Sequence, residues 1–331
     1  MKIGIIGAGH LGKIHIKCIQ QITEFAITGI YDNDPNVLDK VSGEFKVHAF
    51  NSIDDLIAES EVVSIVTPTS SHFEIASKAI KEGKHVFIEK PVTKGAKEAK
   101  ELVHLAKNYN VKVQIGHVER FNPALMALQD EIIEPAFMEV HRLSNFNPRS
   151  TDVSVIHDLM IHDIDIILHF VKSPVREIRA NGLKLISDHD DICNARIEFE
   201  NGAVANLTAS RVSVTNMRKM RLFQKDAYIS MDFLEKKSQV IRIRDEKEEN
   251  AMLLDLNDHK KWITIRNVEG PELNAIKTEF EYFFQSIKND SPVFVPLVDG
   301  ARAVEVADKV VEAVKNQGDL QHFISNSDKA F

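Results

Sequence analysis

A chain of 331 residues with 44% hydrophobic content is globular in composition, long enough to bury a large core without disulfides or metals, and long enough for two domains. A net charge of −8 excludes the basic footprint of a duplex-binding protein, and no apolar run approaches the length of a membrane-spanning helix, so neither nucleic acid nor membrane is an expected partner. The two cysteines, Cys18 and Cys193, show no CxxC pattern and read as buried thiols of a reducing compartment, while the glycine-broken start MKIGIIGAGHLG lacks a signal peptide's cleavage region, so a cytoplasmic location is expected.

In chain order, Lys2–Ile6 reads as a buried strand and 10–22 as a helix, with Ala26–Tyr31 and 62–66 as the next strands. A helix over 71–82 has Phe73, Ala76 and Ile80 at helical spacing and stops at Gly83, a suitable C-terminal cap. A strand over 85–88, a helix over Ala96–Asn108 and a strand over 111–115 follow. Apolar strands alternating with helices imply a doubly wound parallel sheet covered on both faces. The rhythm changes after about residue 120. A helix follows Asn122-Pro123, a strongly apolar one covers 155–171, and strand-like stretches fall near 175–187, 192–199, 203–213, 219–224, 227–232, 238–244 and 260–266. Glu200-Asn201-Gly202 is a hairpin signal, and the mixed charges of 242–249 read as a solvated turn. Helices over 273–287 and 299–315 close the chain. The second part is therefore expected to be α+β, a largely antiparallel open sheet with helices on one face. The division falls at 1–120 and 121–331, without a flexible linker, so a firm interface with a cleft is expected.

Gly7-Ala8-Gly9-His10-Leu11-Gly12 is a GxGxxG motif that follows a strand, opens a helix and precedes Asp32 by twenty residues. Gly7 permits the tight turn, Gly9 lets the backbone approach a pyrophosphate, Gly12 allows close packing, and the helix N-terminus favours phosphate charge. Asp32 accepts from the adenine-side ribose and repels a 2′-phosphate, which favours NAD over NADP. Thr67-Pro68 and Glu89-Lys90-Pro91 end later strands, at the edge where an open parallel sheet binds ligand. Lys90 there can donate to a ribose or substrate hydroxyl; the competing reading is an exposed lysine before a turn proline.

The fingerprint, Thr67-Pro68 with His72 after it, Glu89-Lys90-Pro91, and the Asp158-x-x-x-His162 spacing together resemble the Gfo/Idh/MocA oxidoreductases over essentially the whole chain. The resemblance implies a Rossmann domain over 1–120 and, over 121–331, an α+β domain that binds substrate and often builds a homodimer or homotetramer through its sheet. It implies hydride transfer between a secondary hydroxyl of a sugar and nicotinamide. Lys90, Asp158 and His162 are its expected catalytic and substrate-binding positions. Gly7, Gly9, His10, Leu11, Gly12, Asp32, Thr67, Pro68, His72, Glu89 and Lys90 are expected at the cofactor. Gly116-His117-Val118-Glu119-Arg120-Phe121-Asn122-Pro123 and Asp158-Leu159-Met160-Ile161-His162-Asp163-Ile164-Asp165 resemble the branch that includes the UDP-N-acetylglucosamine 3-dehydrogenases. Many family members carry glycines just before Asp-x-x-x-His, where this chain has Thr151-Asp152-Val153-Ser154-Val155.

Read physically, Asp158 and His162 are four apart and share a helix face, a polar stripe that is costly unless paired or turned to a cleft. Imidazole near its ordinary pKa suits acceptance of a hydroxyl proton, with Asp158 orienting it and Lys90 stabilising an alkoxide-like oxygen; whether His162 or Lys90 takes the proton stays open. Competing readings are core polar residues bonded to each other, or a metal held by His157-Asp158 and His162-Asp163, which the chemistry does not need. His117 and Arg120 are candidate substrate contacts, Arg120 for a diphosphate or else in a surface pair with Glu119. Asn122 is a candidate substrate contact and, more simply, the N-cap before Pro123. No metal is expected. The other enzyme reading is a free-sugar or inositol dehydrogenase or reductase; the reading from another class is a non-catalytic NAD-binding sensor.

Overall fold

Continuous apolar runs dictate the first sheet. In this computed structural model, which describes residues 1–147, 153–247, 250–256 and 259–316, β1 (Lys2–Ile6), α1 (His10–Ile19), β2 (Ala26–Tyr31), α2 (Pro35–Phe45), α3 (Ile53–Glu59), β3 (Val62–Ile65), α4 (His72–Lys81), β4 (His85–Glu89), α5 (Ala96–Asn108) and β5 (Val113–Gly116) follow one another. The strands pair in parallel in the order β2-β1-β3-β4-β5. All residues of β3 and β5 are buried, as a sheet covered on both faces requires. α1 ends three residues before the expected Ile22. α2 and α3 have no counterpart among the sequence expectations, although both carry start signals: Asp34 Oδ1 accepts from Asn36 N–H with Pro35 in the first turn, and Ser52 Oγ accepts from Asp55 N–H.

Beyond β5 come α6 (Pro123–Met126), β6 (Phe137–Leu143), a π-helical stretch over Ile156–Met160, α7 (Ile161–Phe170), β7 (Val175–Leu183), β8 (Ile192–Phe199), β9 (Val204–Ser210), β10 (Met217–Gln224), β11 (Ala227–Asp232), β12 (Lys237–Arg244), β13 (Met252–Leu256), β14 (His259–Glu269), α8 (Ala275–Lys288) and α9 (Leu297–Asn316). Nine strands form one sheet, ordered β13-β14-β12-β11-β10-β6-β9-β8-β7. Every pair is antiparallel except β6 with β9. Burial alternates along these strands, so one face packs and the other does not. Gly202, at a φ of +87°, turns β8 into β9 as its sequence signal requires. The expected helix over 155–171 is a π stretch continued by an α-helix. Arg242 belongs to β12 and pairs with Glu131 and Asp226 rather than sitting in a solvated turn; residues 248 and 249 of that run lie outside the described residues.

The chain divides into two compact units, residues 1–121 with 273–305, and 122–272 with 306–331. The first therefore takes α8 as well as the sheet. Phe280, Phe283 and Phe284 of α8 join Ile3, Ile5, Ile16, Ile19 and Phe87 in one buried cluster, where each buried aromatic contributes about 1.5–3 kcal/mol. No helix among the described residues is long and apolar enough to cross a membrane. Cys18 and Cys193 are free and buried.

In the second unit one carboxylate organises the segment before the π stretch. Asp191 Oδ2 accepts the N–H groups of Leu185, Ile186 and Ser187 at 2.7–3.0 Å, and Oδ1 accepts from the Ser187 hydroxyl at 2.8 Å. Arg211 lies against it and donates to Val153 O, while Val155 N–H donates to Asp190 O. Burial by itself raises the Asp191 pKa, but the bonds to the carboxylate outweigh it and hold the group at about 2, against 3.8 ordinarily. Its stabilisation is thus complete above pH 3.8 and is lost as pH falls through about 2. Thermal melts between pH 2 and 7 should show Asp191→Asn flattening this acid loss and Asp191→Ala costing about 3 kcal/mol or more at neutral pH, because Arg211 is left buried without it; an acid dependence identical to wild type in both variants would contradict this.

Candidate functional site

β1 has β2 on one side and β3 on the other, so the winding reverses direction between β1 and β3. Such a switch point opens a crevice at the carboxyl ends of the strands. The glycine motif follows β1, Asp32 follows β2, and Thr67-Pro68 follows β3. All three segments meet around a cavity of about 400 Å³ lined by Gly7, Gly9, Asp32, Thr67, Pro68 and Ser71, with Val37, Ile53 and Ile75 as apolar wall.

Gly7 has a φ of +101°, and a Cβ there would stand 2.5 Å from Val66 O. A Cβ on Gly12 would stand 2.1 Å from Gly7 O, so helix and turn are in contact. A Cβ on Gly9, by contrast, would meet nothing within 4 Å. That open space lies at the N-terminus of α1, which has no side-chain cap among the described residues and no acidic residue in its first turn. A pyrophosphate fits there, against unfilled N–H groups and the positive end of the helix. His10 and Leu11 form the first turn beside it. Asp32 Oδ2 accepts from Ala8 N–H at 2.7 Å and Oδ1 from Asp34 N–H at 3.0 Å, leaving each oxygen a further lone pair toward the cavity. The apolar wall suits an adenine; three of its members, Val37, Ile53 and Ile75, were not singled out by the sequence, two of them because α2 and α3 went unread.

Thr67-Pro68 is held from below. Ser71 Oγ donates to Thr67 Oγ1 and Pro68 O. His72 is buried, with Nε2 at 2.9 Å from Thr67 O and Nδ1 at 2.9 Å from Pro91 O. It brackets the two motif loops and does not line the cavity. Burial pushes its pKa down, opposed by those carbonyls. Lys90 is half-buried at the end of β4, followed by a cis peptide to Pro91. Glu89, expected at the cofactor, points inward: it is 8% exposed and its Oε1 lies 3.0 Å from His15 Nε2.

In the second unit the π stretch carries Asp158 and α7 opens with Ile161 and His162; both polar residues are half-buried. π segments recur at functional sites. α7 is clamped one residue past His162, where Arg142 of β6 meets Asp163 in a buried bidentate pair at 2.8 and 2.9 Å. His157 Nε2 lies 3.0 Å from Asp308 Oδ1. Two members of the His-Asp pairs weighed as metal ligands are thus engaged by protein. Thr151 and Asp152, part of the departure from the family's glycines, lie outside the described residues.

His117 is buried just after β5. Arg120 is 2% exposed and pairs with Asp299 at 3.1 Å. Asn122 Oδ1 accepts from Ala124 N–H and caps α6 ahead of Pro123, while its Nδ2 donates to Phe233 O. Sequence reasoning passed over His15 and Glu279, which stand beside Glu89; the signal was a polar residue at a core-facing position of each amphipathic helix.

A family model described as "Oxidoreductase family, NAD-binding Rossmann fold" matches residues 1–117, and its companion, "Oxidoreductase family, C-terminal alpha/beta domain", matches 145–321. The UDP-N-acetylglucosamine 3-dehydrogenase of Acidithiobacillus ferrooxidans is 36% identical over 324 residues, 95% of this chain and 97% of that protein. A solved structure of such an enzyme from that organism superposes with a TM-score of 0.86, covering 96% of this chain and 98% of the other. A levoglucosan dehydrogenase in complex with NADH and levoglucosan, 21% identical, shares the fold with a TM-score of 0.82 over 96% of this chain and 98% of its own. The crevice with its glycine turn, the two-sheet architecture and these matches agree: the chain belongs to the Gfo/Idh/MocA family of NAD-dependent oxidoreductases.

Proposed function

We propose that this dehydrogenase oxidises the 3-hydroxyl of UDP-N-acetylglucosamine, with NAD preferred over NADP. The observation that carries the substrate is the 36% identity to a UDP-N-acetylglucosamine 3-dehydrogenase across nearly the whole of both chains. The carboxylate of Asp32 at the cavity supports the cofactor preference, since it attracts a ribose hydroxyl and repels a phosphate. Of the proposed catalytic residues, Lys90 lies in the first unit and Asp158 and His162 in the second. NAD supplies the hydride acceptor. His162 takes the hydroxyl proton, Lys90 donates to the oxygen as it gains negative charge, and Asp158 holds the imidazole in its working orientation. His117, Arg120 and Asn122 belong to the substrate side. Arg120 and Asn122 are already bonded within the protein, so they shape the wall rather than grip the sugar.

The partner we propose is a second copy of this chain, met through the open face of the nine-stranded sheet. Phe137, Phe223, Tyr228, Ile241 and Ile265 stand opposite one another on successive strands, so they form one apolar ribbon across β6, β10, β11, β12 and β14. Phe223 is 37% and Ile265 52% exposed. An exposed apolar ribbon is the kind of surface that contact between copies would cover. We infer a cytoplasmic location from the free thiols.

Two experiments test this reading. Incubation with NAD or NADP and a panel of UDP-sugars, free sugars and inositols, with a 2-oxo acid present to reoxidise a tightly held cofactor, should give turnover with UDP-N-acetylglucosamine and NAD. Lys90→Ala and His162→Ala should each lower kcat/KM about a hundredfold or more. Turnover confined to a free sugar overturns the substrate, and undiminished activity in both variants overturns the catalytic roles. Light scattering should give a mass of two or four chains, falling in the double variant Phe223→Glu, Ile265→Glu; a single-chain mass for wild type refutes the interface.

A further inference from the structure

Behind Lys90, inside the first unit, three ionisable side chains meet with almost no water. His15 of α1 and Glu279 of α8 are fully buried and Glu89 of β4 is 8% exposed. One ligating atom from each lies within 4.8 Å of the other two. His15 Nδ1 is 3.1 Å from Ser64 Oγ and Nε2 is 3.0 Å from Glu89 Oε1. A carboxylate can only accept, so Nε2 carries the proton and Nδ1 accepts from the Ser64 hydroxyl. The other Glu89 oxygen accepts from the Lys90 backbone N–H at 3.3 Å. β5 leaves room for this carboxylate, because a Cβ on Gly116 would stand 2.8 Å from Glu89 Oε1.

Glu279 is anomalous in this setting. Neither of its oxygens has a hydrogen-bond partner among the described residues, and neither does Oε1 of Gln114, whose Nε2 donates to Glu279 O at 2.6 Å. The pocket is rich in acceptors and poor in donors, with Phe87 and Phe280 set edge-on to the His15 ring. Two carboxylates this close in an apolar surround cannot both ionise. Burial pushes the Glu279 carboxyl well above the usual carboxylate range, and the Glu89 charge pushes it further. The titratable groups facing it are His15 and Cys18 from α1 and Glu89 from β4; the Cys18 thiol is itself pushed up by burial and stays neutral.

We propose that Glu89 and Glu279 hold one proton between them, and that this singly charged pair, braced by His15, is the positioning device for the backbone that presents Lys90. This rests on the catalytic reading of Lys90 given above. Glu279 supplies the missing donor: its O–H turns to Glu89, whose two oxygens are then tied to His15 and to the Lys90 N–H. A buried ionic cluster is a poor source of stability compared with apolar packing, and its best-attested use is to fix one arrangement. When Glu279 ionises, the two carboxylates repel, and Glu89 is driven off the Lys90 N–H.

Infrared spectra of the wild-type protein, titrated in H2O and D2O, read the proton directly. At pH 7 a protonated-carboxyl stretch should be present, sensitive to deuteration, lost at alkaline pH and absent from Glu279→Gln. Steady-state kinetics read the link to Lys90. Glu279→Ala should lower kcat roughly ten- to a hundredfold with little change in KM; wild-type kcat should fall at alkaline pH as Glu279 ionises, and Glu279→Gln, which keeps a neutral donor, should restore most of kcat and remove that fall. Absence of the carboxyl band in wild type at pH 7 overturns the shared proton, as does a stoichiometric divalent metal in the purified protein, which would make the cluster a cation site. A band present with a kcat insensitive to every change at position 279 overturns the positioning role. The band does not depend on activity, so failure of the Lys90 mechanism and failure of the proton pair are told apart, and the wild-type titration stands even if a variant does not fold.

Discussion

The contact on which the nucleotide site depends is the bond from Ala8 N–H to the Asp32 carboxylate, 2.7 Å long. It ties the glycine turn after β1 to the end of β2 and gives Asp32 a fixed direction. Hydrogen bonds to an ionised acceptor are about twice as strong as neutral ones, which suits a contact that must hold a loop against an incoming charge. The rest of the crevice follows from it. Gly7 bends the chain under that bond, Gly12 brings α1 against the turn, and the uncapped start of the helix is left facing open space over Gly9. His72 then couples the Thr67 loop to the turn after Lys90 through two backbone carbonyls, so both loops are set by one buried ring.

The two sheets use polar groups differently. The strands of the parallel sheet are mostly apolar, and a buried ionic cluster lies directly behind Lys90. The second unit buries separate ionic clamps, Arg142 with Asp163 and Arg211 with Asp191, on either side of the segment that carries Asp158 and His162. Each costs desolvation that charge attraction only partly offsets. In both units the ionic groups stand beside residues proposed for chemistry, where geometry matters more than net stability.

Much of this was legible in the sequence wherever pattern and burial coincide. The strands of the first sheet, α5, the hairpin at Gly202 and the cap at Asn122 follow from apolar runs, glycine at positive φ and side-chain capping. β6 was not readable because Arg142 occupies an inward position that alternation reserves for an apolar residue; its partner Asp163, twenty-one residues on, helps make that placement tolerable. The membership of α8 in the first unit depends on Phe280 and Phe283 meeting Phe87, a contact nearly two hundred residues long in sequence that no local pattern encodes. Glu89 shows the same limit from the other side. Its motif is visible, but whether its carboxylate faces ligand or interior is decided by His15 and Glu279, which lie on two separate helices.

We propose that the space over Gly9 belongs to the pyrophosphate of the cofactor. Gly9 has a φ of −66°, open to any L-residue, and a Cβ there meets no protein atom. Gly9→Val therefore separates binding from folding. Calorimetric titration with NAD, paired with a thermal melt, should show an unchanged melting temperature and an affinity lower by at least about tenfold, the loss of one well-placed group. A variant that melts like wild type and binds NAD with undiminished affinity would contradict the account.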